Sequence, residues 1–177
     1  RFFPVRGAGG SPRLLYSCPM TTTKNTPAAQ LRRMAKPDLI EWATAVIAGG
    51  FFCGVQAVYH HTAGLLNAVS FYSNDTTTTA NYTMIGTGTT GHAEAVEIKY
   101  DPKKISYGKI LQIFFSVVHD PTQLNRQGPD TGTQYRSAIF AVNDEQKKVA
   151  EAYIAQLNAA KVYKKPIVTK VGPLQAF

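Results

Sequence analysis

The 177-residue chain has little of three features that would each indicate a particular class of protein. It contains only two cysteines, Cys18 and Cys53, which argues against an extracellular scaffold held by several disulfides. No apolar run approaches the roughly 20 residues that a membrane-spanning helix needs, so we expect no membrane span. Acidic residues are missing from the first 37 positions, although these positions hold seven lysine and arginine residues.

The net charge of +8 is concentrated in this N-terminal stretch, and the rest of the chain is close to neutral. A nucleic-acid interface needs basic and aromatic side chains interleaved on the folded body, so we expect no nucleic-acid partner. We predict that residues 1–40 form a disordered basic tail or targeting segment, because an Arg-rich, acid-free composition is typical of organelle transit peptides. The localisation is then the cytoplasm, or an organelle if residues 1–37 are a transit peptide.

Residues 41–177 are predicted to form one domain that is long enough to bury a core. A nearly continuous apolar run predicts a buried strand at 43–48, and alternation predicts strands at 65–72 and 93–100. Two more strands are predicted at 135–142 and 166–171. Helical periodicity and capping residues predict helices at 54–61, 105–118 and 143–160. The long connections after Tyr72 and Val118 favour a mixed sheet over a regular parallel one. The predicted fold is therefore α+β, a two-layer sandwich of a mixed sheet with helices packed on it around a ferredoxin-like core.

The turn after the first predicted strand has an unusual composition, in the order Gly49, Gly50, Phe51, Phe52, Cys53. Glycine permits a positive φ or a close approach of the backbone to another group. A thiol at the start of the following helix lies where free N–H groups and the macrodipole favour a thiolate. The alternative is that Cys53 is a small buried hydrophobic residue. Because Cys18 lies in the tail, we expect no disulfide between the two cysteines.

Glu94 begins the face of the strand 93–100 that continues with apolar side chains. Burial of a carboxylate raises its pKa and lets it act as an acid near neutral pH, whereas a glutamate at the strand edge would reach solvent. Tyr82, Asp130 and Tyr135 border predicted loops. A tyrosine hydroxyl beside an acid can donate a hydrogen bond to a substrate oxygen.

Two other motifs are interpreted as structural. Residues 86–91 match the dinucleotide fingerprint GxGxxG, but a strand pattern follows them where that fingerprint requires a helix, so we predict a glycine-rich turn. The histidines form no ligand pair at helical spacing, and no second cysteine lies in the domain, so we expect no metal site. We interpret all four as surface or structural residues: His60, His61, His92 and His119.

Two long stretches resemble the A-type peptide methionine sulfoxide reductase family, which reduces the S epimer of methionine sulfoxide. The first is TGHAEAV at residues 90–96, and the second is HDPTQLNRQG followed by Asp130 and GTQYR at residues 119–136. The resemblance covers residues 43–177 and implies a two-layer α+β fold. It also implies protein repair under oxidative stress, with oxidised proteins or free methionine sulfoxide as the substrate.

By this resemblance, Glu94 protonates the sulfoxide oxygen, Tyr82 and Tyr135 hydrogen-bond it, and Asp130 supports the acid. A further set belongs to substrate binding: Gly50, Phe52 and His92. A thiolate attacks the sulfur and becomes a sulfenic acid, which a thiol reductant such as thioredoxin or dithiothreitol clears. The resemblance implies no cofactor, and we expect a monomer.

The chain departs from the family where the pattern Gly-Cys-Phe-Trp-Gly is expected. Phe51 occupies the position of the nucleophile, and Cys53 occupies that of the tryptophan. A shift of two residues along a helix turns a side chain by roughly 200°, so Cys53 is predicted to face away from Glu94 unless the turn has rearranged. Two hypotheses follow: a reductase that uses Cys53 as a displaced nucleophile, or an impaired member that folds and binds methionine sulfoxide without the thiol chemistry.

Overall fold

The computed structural model describes residues 41–73 and 91–174. These residues form a five-stranded sheet covered by three helices. The strands of the sheet are β1 (Ala43–Gly49), β2 (Leu65–Ser73), β3 (Ala93–Tyr100), β6 (Ser137–Ala141) and β7 (Lys170–Pro173). The helices are α1 (Phe52–His60), α2 (Tyr107–Ile113) and α3 (Asp144–Ala159). The predicted two-layer α+β architecture is confirmed.

The sheet has the strand order β2-β3-β1-β6-β7. β1 pairs antiparallel with β3 and β6, β2 pairs antiparallel with β3, and β6 pairs parallel with β7. The sheet is therefore mixed, as the long connections predicted. β1 lies in the centre, so the strand that leads into the following turn is hydrogen-bonded to β3 on one side and to β6 on the other.

The two faces of the sheet carry separate apolar clusters, because successive side chains of a strand point to opposite sides. The cluster on the helical side contains side chains from the sheet and from all three helices, among them Ile47, Val96, Ile98, Leu111 and Ala150. The opposite face carries Val46, Ala48, Ala95, Ala138 and Phe140. The alternation that was predicted for residues 93–100 is confirmed, because Val96 and Ile98 lie on the helical side and Ala95 on the other.

The helices differ from the predictions mainly at their ends. α1 begins two residues earlier than predicted, at Phe52. α2 starts after the Ser106 cap, and the chain continues from Phe114 to Val118 as a π-helical turn. α3 begins as predicted, because the side chain of Asn143 accepts a hydrogen bond from the Gln146 amide at 2.8 Å.

The segment 119–134 was predicted to be a long loop, and that prediction is only partly right. It contains a short antiparallel hairpin of β4 (Arg126–Gln127) and β5 (Asp130–Thr131), followed by a 3-10 turn at Thr133–Tyr135. β6 begins later than predicted, and the last strand is Lys170–Pro173 rather than 166–171. Two-residue strands escape pattern reading because they are too short to show alternation.

Several predictions concern residues outside the described ranges. The tail 1–40, the glycine-rich turn 86–90 and Tyr82 are among them. The division into a tail and a domain therefore stays a prediction. In the described ranges, no helix is long and apolar enough to cross a bilayer.

Ile98→Ala tests the core on the helical side of the sheet. Ile98 is fully buried, and truncating such a side chain removes apolar contacts and leaves a cavity, so we expect a loss of about 3 kcal/mol in the free energy of unfolding. Urea denaturation measures this loss. The control Val162→Ala changes a side chain that is 58% exposed and should cost less than about 0.5 kcal/mol. Equal losses in the two variants would contradict this description of the core.

Candidate active site

The turn between β1 and α1 requires glycine at position 50 and leaves little space for a side chain at position 49. Gly50 has a φ of +84°, and a Cβ there would lie 2.5 Å from the Cβ of Gln127. A Cβ at Gly49 would lie 3.1 Å from side-chain atoms of Phe114 and Val118. The segment around β4 and the π-helical turn therefore pack directly on the backbone of this turn, which brings two distant parts of the chain to the same place.

The start of α1 separates the three residues of the Phe51-Phe52-Cys53 run. Phe51 precedes the helix, and its side chain is 52% exposed. Phe52 is the first helical residue and is buried, whereas Cys53 is half-buried against the core. The expected rotation of about 200° between positions 51 and 53 assumed that both are helical, so it does not apply to Phe51.

Glu94 lies beside the N-terminal end of α1. It is the second residue of β3 and is 5% exposed, with its side chain on the helical side of the sheet. The backbone N–H of Phe52 donates a hydrogen bond of 3.0 Å to Glu94 Oε2. This N–H belongs to the first turn of α1, where no carbonyl of the helix can accept it, so the carboxyl group satisfies one unpaired donor. The prediction that Glu94 shares the apolar face of its strand is confirmed.

The pKa of Glu94 is raised to about 7. Burial is the main cause, and the negative charge of Asp130 adds to it. The hydrogen bond from Phe52 opposes the shift, because it stabilises the charged form. The desolvation effect outweighs this hydrogen bond, so a substantial fraction of Glu94 is protonated at neutral pH. The alternative of a solvent-exposed edge glutamate is wrong.

Aromatic side chains lie on the elements next to Glu94. Tyr72 is the cross-strand partner of Glu94 on β2, and its ring centroid lies 5.4 Å from that of Phe52. The rings of Phe51 and Phe52 are 6.3 Å apart, and those of Tyr72 and His92 are 6.4 Å apart. Sequence reasoning missed Tyr72, because only the register of β2 against β3 shows that it faces Glu94.

The hairpin segment supplies Asp130, which lies on β5 and acts electrostatically on Glu94. Tyr135 ends the 3-10 turn and is half-buried. Tyr82 lies outside the described residues. The structure thus brings Asp130 and the segment of Tyr135 to the Glu94 side of the sheet, as the resemblance implies, while the individual roles of these residues stay predictions.

Arg136 connects this segment to the start of β3. Its guanidinium donates hydrogen bonds to the carbonyl oxygens of Gly91 at 2.8 Å, His92 at 3.0 Å and Thr133 at 2.9 Å. It therefore fixes the backbone just before Glu94. Sequence reasoning gave Arg136 no role of its own, because nothing in the pattern indicates that a charged side chain ends on carbonyl groups.

His119 holds the other end of the same segment. Burial lowers its pKa to about 4, so the ring is neutral near pH 7. A carbonyl can only accept, so Nδ1 donates to the Phe114 carbonyl at 3.1 Å, and Nε2 then accepts from Ser137 Oγ at 2.6 Å. The Ser137 hydroxyl is also bonded to Thr169 at 2.7 Å. His119 is thus a structural histidine, which agrees with its interpretation.

Cys53 is half-buried and packs against the core cluster on the helical side. The other cysteine of the sequence, Cys18, lies outside the described residues, so the expectation that the two cysteines form no bridge stays a prediction.

The arrangement can protonate a polar group that enters beside the aromatic rings, because it combines a buried acid with apolar walls. In residues 41–73 and 91–174, no three His, Cys, Asp or Glu side chains are placed to hold a metal ion.

Comparison with known proteins identifies the family. The family model described as peptide methionine sulfoxide reductase matches residues 43–177. Peptide methionine sulfoxide reductase MsrA 2 of Mesorhizobium japonicum is 59% identical over 134 residues, which are 76% of this chain and 69% of that protein. The protein of the same name from Synechocystis is 52% identical over 133 residues, which are 75% of this chain and 62% of that protein.

Solved structures also resemble this chain. Reduced Mxr1 from Saccharomyces cerevisiae matches with a TM-score of 0.72 at 28% identity, covering 82% of this chain and 83% of that one. Mxr1 in complex with Trx2 matches with a TM-score of 0.58 at 21% identity, covering 82% and 85%, which shows the shared fold. Since the family model covers the whole region from β1 onward and the relatives are this similar, the chain belongs to the peptide methionine sulfoxide reductase family.

Proposed function

We propose that this chain binds methionine-S-sulfoxide beside Phe52 with its oxygen on Glu94, and that Glu94 is the acid of a thiol-dependent reduction. Membership of the family supports the reduction of peptidyl and free methionine sulfoxide. The observation that carries the assignment to Glu94 is its position. It is a buried carboxyl group at the start of α1 with a pKa of about 7.

A proton donor is needed because the sulfur of a neutral sulfoxide is a poor electrophile. Protonation of the oxygen by Glu94 makes the sulfur open to attack. At pH 7 about half of the Glu94 side chains carry the proton that this step requires. Tyr82 and Tyr135 would hydrogen-bond the oxygen, and the charge of Asp130 would keep the acid protonated.

The thiol step transfers the sulfoxide oxygen to cysteine. A thiolate attacks the sulfoxide sulfur, the bond between sulfur and oxygen breaks, and the oxygen leaves on the cysteine as a sulfenic acid while methionine is released. The cysteine sulfur loses the two electrons that the methionine sulfur gains. Cys53 is the candidate for this thiol, and it would react as the thiolate.

The sulfenic acid needs two further electrons, and a dithiol reductant of the thioredoxin type supplies them by becoming a disulfide and releasing water. The complex of Mxr1 with Trx2 supports this class of reductant for a protein of the same fold. Oxidised proteins and free methionine sulfoxide are the substrates that we assign. The substrate's methyl group would lie against Phe52, Gly50 and His92.

A second candidate function is binding without reduction. It is favoured by Phe51, which occupies the nucleophile's position in the family pattern and is half exposed at the mouth of the turn. A phenylalanine ring cannot attack sulfur or carry the oxidised intermediate. The chain would then recognise methionine sulfoxide through Glu94 and the aromatic rings, and would leave it unchanged.

The identity of the nucleophile is tested with dabsyl-methionine-S-sulfoxide and dithiothreitol. We expect the Phe51→Cys variant to gain activity, because it restores a thiol beside the acid. If Cys53 is the displaced nucleophile, the parent is active and Cys53→Ser is inactive. Product formation is followed by chromatography of dabsyl-methionine.

The outcomes separate the two functions. An inactive parent with an active Phe51→Cys variant indicates the binding function for the natural chain and an intact acid site. Inactivity of the parent and of Phe51→Cys would contradict the whole assignment of the site.

Removing the acid should stop catalysis in whichever of these proteins is active. Glu94→Gln should lower kcat/KM by about 100-fold or more, because a general acid contributes on this order. The protonated fraction of Glu94 falls as the pH rises through about 7, so the acid's contribution should decline above that pH. The matched control is Glu97→Gln, which changes a carboxylate of the same strand that pairs with Lys99 at 3.5 Å. Equal losses in both variants would contradict the role of Glu94.

The raised pKa of Glu94 should also appear in the stability of the fold. A pKa that is higher in the folded state means that folding favours the protonated form, so stability is lost as the pH rises from about 4.5 to about 7. Glu94→Gln removes this loss and should be more stable than the parent at pH 8, by up to about 3 kcal/mol, and similar to it at pH 4. Urea denaturation at the two pH values measures the difference. A variant that is less stable than the parent at pH 8 would contradict the shift.

A further inference from the structure

A groove of about 970 Å³ lies on the outer side of the β4–β5 hairpin. Its walls are the π-helical turn, the hairpin segment and the chain that follows α3. The mechanism proposed above uses none of these surfaces. We propose that this groove binds an acidic segment of the oxidised protein substrate, on either side of the methionine sulfoxide that enters beside Glu94. This inference rests on the proposed function for the identity of the substrate.

The charges of the groove carry the proposal. Three exposed cations line it: Arg126, Lys164 and Lys165. The ion pairs of the described residues are Lys99 with Glu97 and Lys104 with Asp101, so none of the three cations has a carboxylate partner in these ranges. Arg126 uses its Nε to donate to the Gly128 carbonyl at 2.7 Å, which directs the guanidinium along the hairpin.

The single carboxylate of the lining, that of Asp120, is hydrogen-bonded within its own loop. Asp120 accepts hydrogen bonds from the Thr122 backbone, the Thr122 hydroxyl and the Gln123 amide, at 3.0, 2.7 and 3.1 Å. These bonds lower its pKa and turn the carboxylate toward its own loop. The neutral ring of His119 adds no charge. With three cations against one carboxylate, the lining of the groove keeps a net positive charge.

The wall that bears the lysines is held at both ends. The Tyr163 hydroxyl donates to the carbonyl of Phe115, and the Val168 amide donates to the carbonyl of Pro121 at 2.9 Å. Lys164 and Lys165 lie between these two anchors. A fixed wall reduces the entropy that a ligand must remove on binding.

Apolar side chains distinguish a peptide from other anionic ligands. Leu124 is 64% exposed at the groove, and Pro129 lies next to the hairpin turn. Of the lining rings, Phe115 is 3% exposed, so it offers no open face for stacking a nucleic-acid base. A chain that combines carboxylates with apolar residues fits this surface.

The hairpin links the groove to the candidate active site. Arg126 and Gln127 are consecutive on β4, and side chains of consecutive strand residues point to opposite faces. Arg126 lines the groove, while Gln127 packs on Gly50 of the glycine turn. An extended chain spans about 3.3 Å per residue, so three to six residues span roughly 10 to 20 Å. Acidic residues that lie roughly three to six positions from the methionine sulfoxide would therefore reach the groove.

The test measures the binding of fluorescein-labelled peptides of twelve residues by fluorescence anisotropy. Each peptide has one central methionine sulfoxide and either aspartate and leucine or lysine and leucine around it, and a second set has methionine at the centre. We expect the acidic peptides to bind about tenfold more tightly than the basic ones at low salt, with the difference shrinking as salt is added.

The variant Lys164→Glu/Lys165→Glu should weaken binding of the acidic peptide by about tenfold. The matched control is Lys147→Glu/Lys148→Glu, which reverses two adjacent exposed lysines on α3 and changes the net charge by the same amount. We expect this control to change the affinity less than about twofold. Both pairs of side chains are exposed, so neither variant is expected to unfold the domain.

Three results would overturn the proposal: equal binding of acidic and basic peptides, equal weakening in both double variants, or competition by single-stranded RNA that depends on Lys164 and Lys165. The methionine peptides separate this inference from the proposed function. A charge preference that survives while methionine sulfoxide and methionine bind equally would support the groove and contradict the sulfoxide site.

Discussion

The hydrogen bond between the Phe52 amide and the Glu94 carboxyl group joins the two elements on which the candidate site depends. It connects the first turn of α1 to the start of β3, which are 42 positions apart in the chain. The helix end provides an N–H donor that has no partner in the helix. The strand provides a carboxyl group whose pKa is raised by burial. The bond stabilises the charged form only in part, and the result is an acid that can give up its proton near neutral pH.

The other parts of the site hold these two elements in position. Gln127 packs on Gly50, Arg136 fixes the backbone before Glu94, and His119 connects the π-helical turn to β6. A π-helical turn within a helix is a frequent feature of functional regions. Here it places His119 against the glycine turn, so the hairpin that carries Asp130 is attached to the core at both of its ends. The same hairpin carries Arg126, one of the three cations of the proposed groove, so one short segment contributes to both sites.

The sequence predicted much of the fold because the relevant signals are local. The alternation of residues 93–100 placed Glu94 on the helical face, and Asn143 with Gln146 located the start of α3. Signals that depend on contacts were missed. The position of Tyr72 opposite Glu94 follows only from the strand register. The role of Arg136 follows only from its hydrogen bonds to carbonyl groups.

The sequence by itself determined the family and the α+β class, because these follow from residue identity and order. The tertiary structure decided how acidic Glu94 is and which groups surround it. Its pKa of about 7 results from burial against elements that are distant in sequence, together with the nearby charge of Asp130. The tertiary structure also brought Arg126, Lys164 and Lys165 to one groove. The sequence could not show this, because the charge of a surface depends on which residues are close in space.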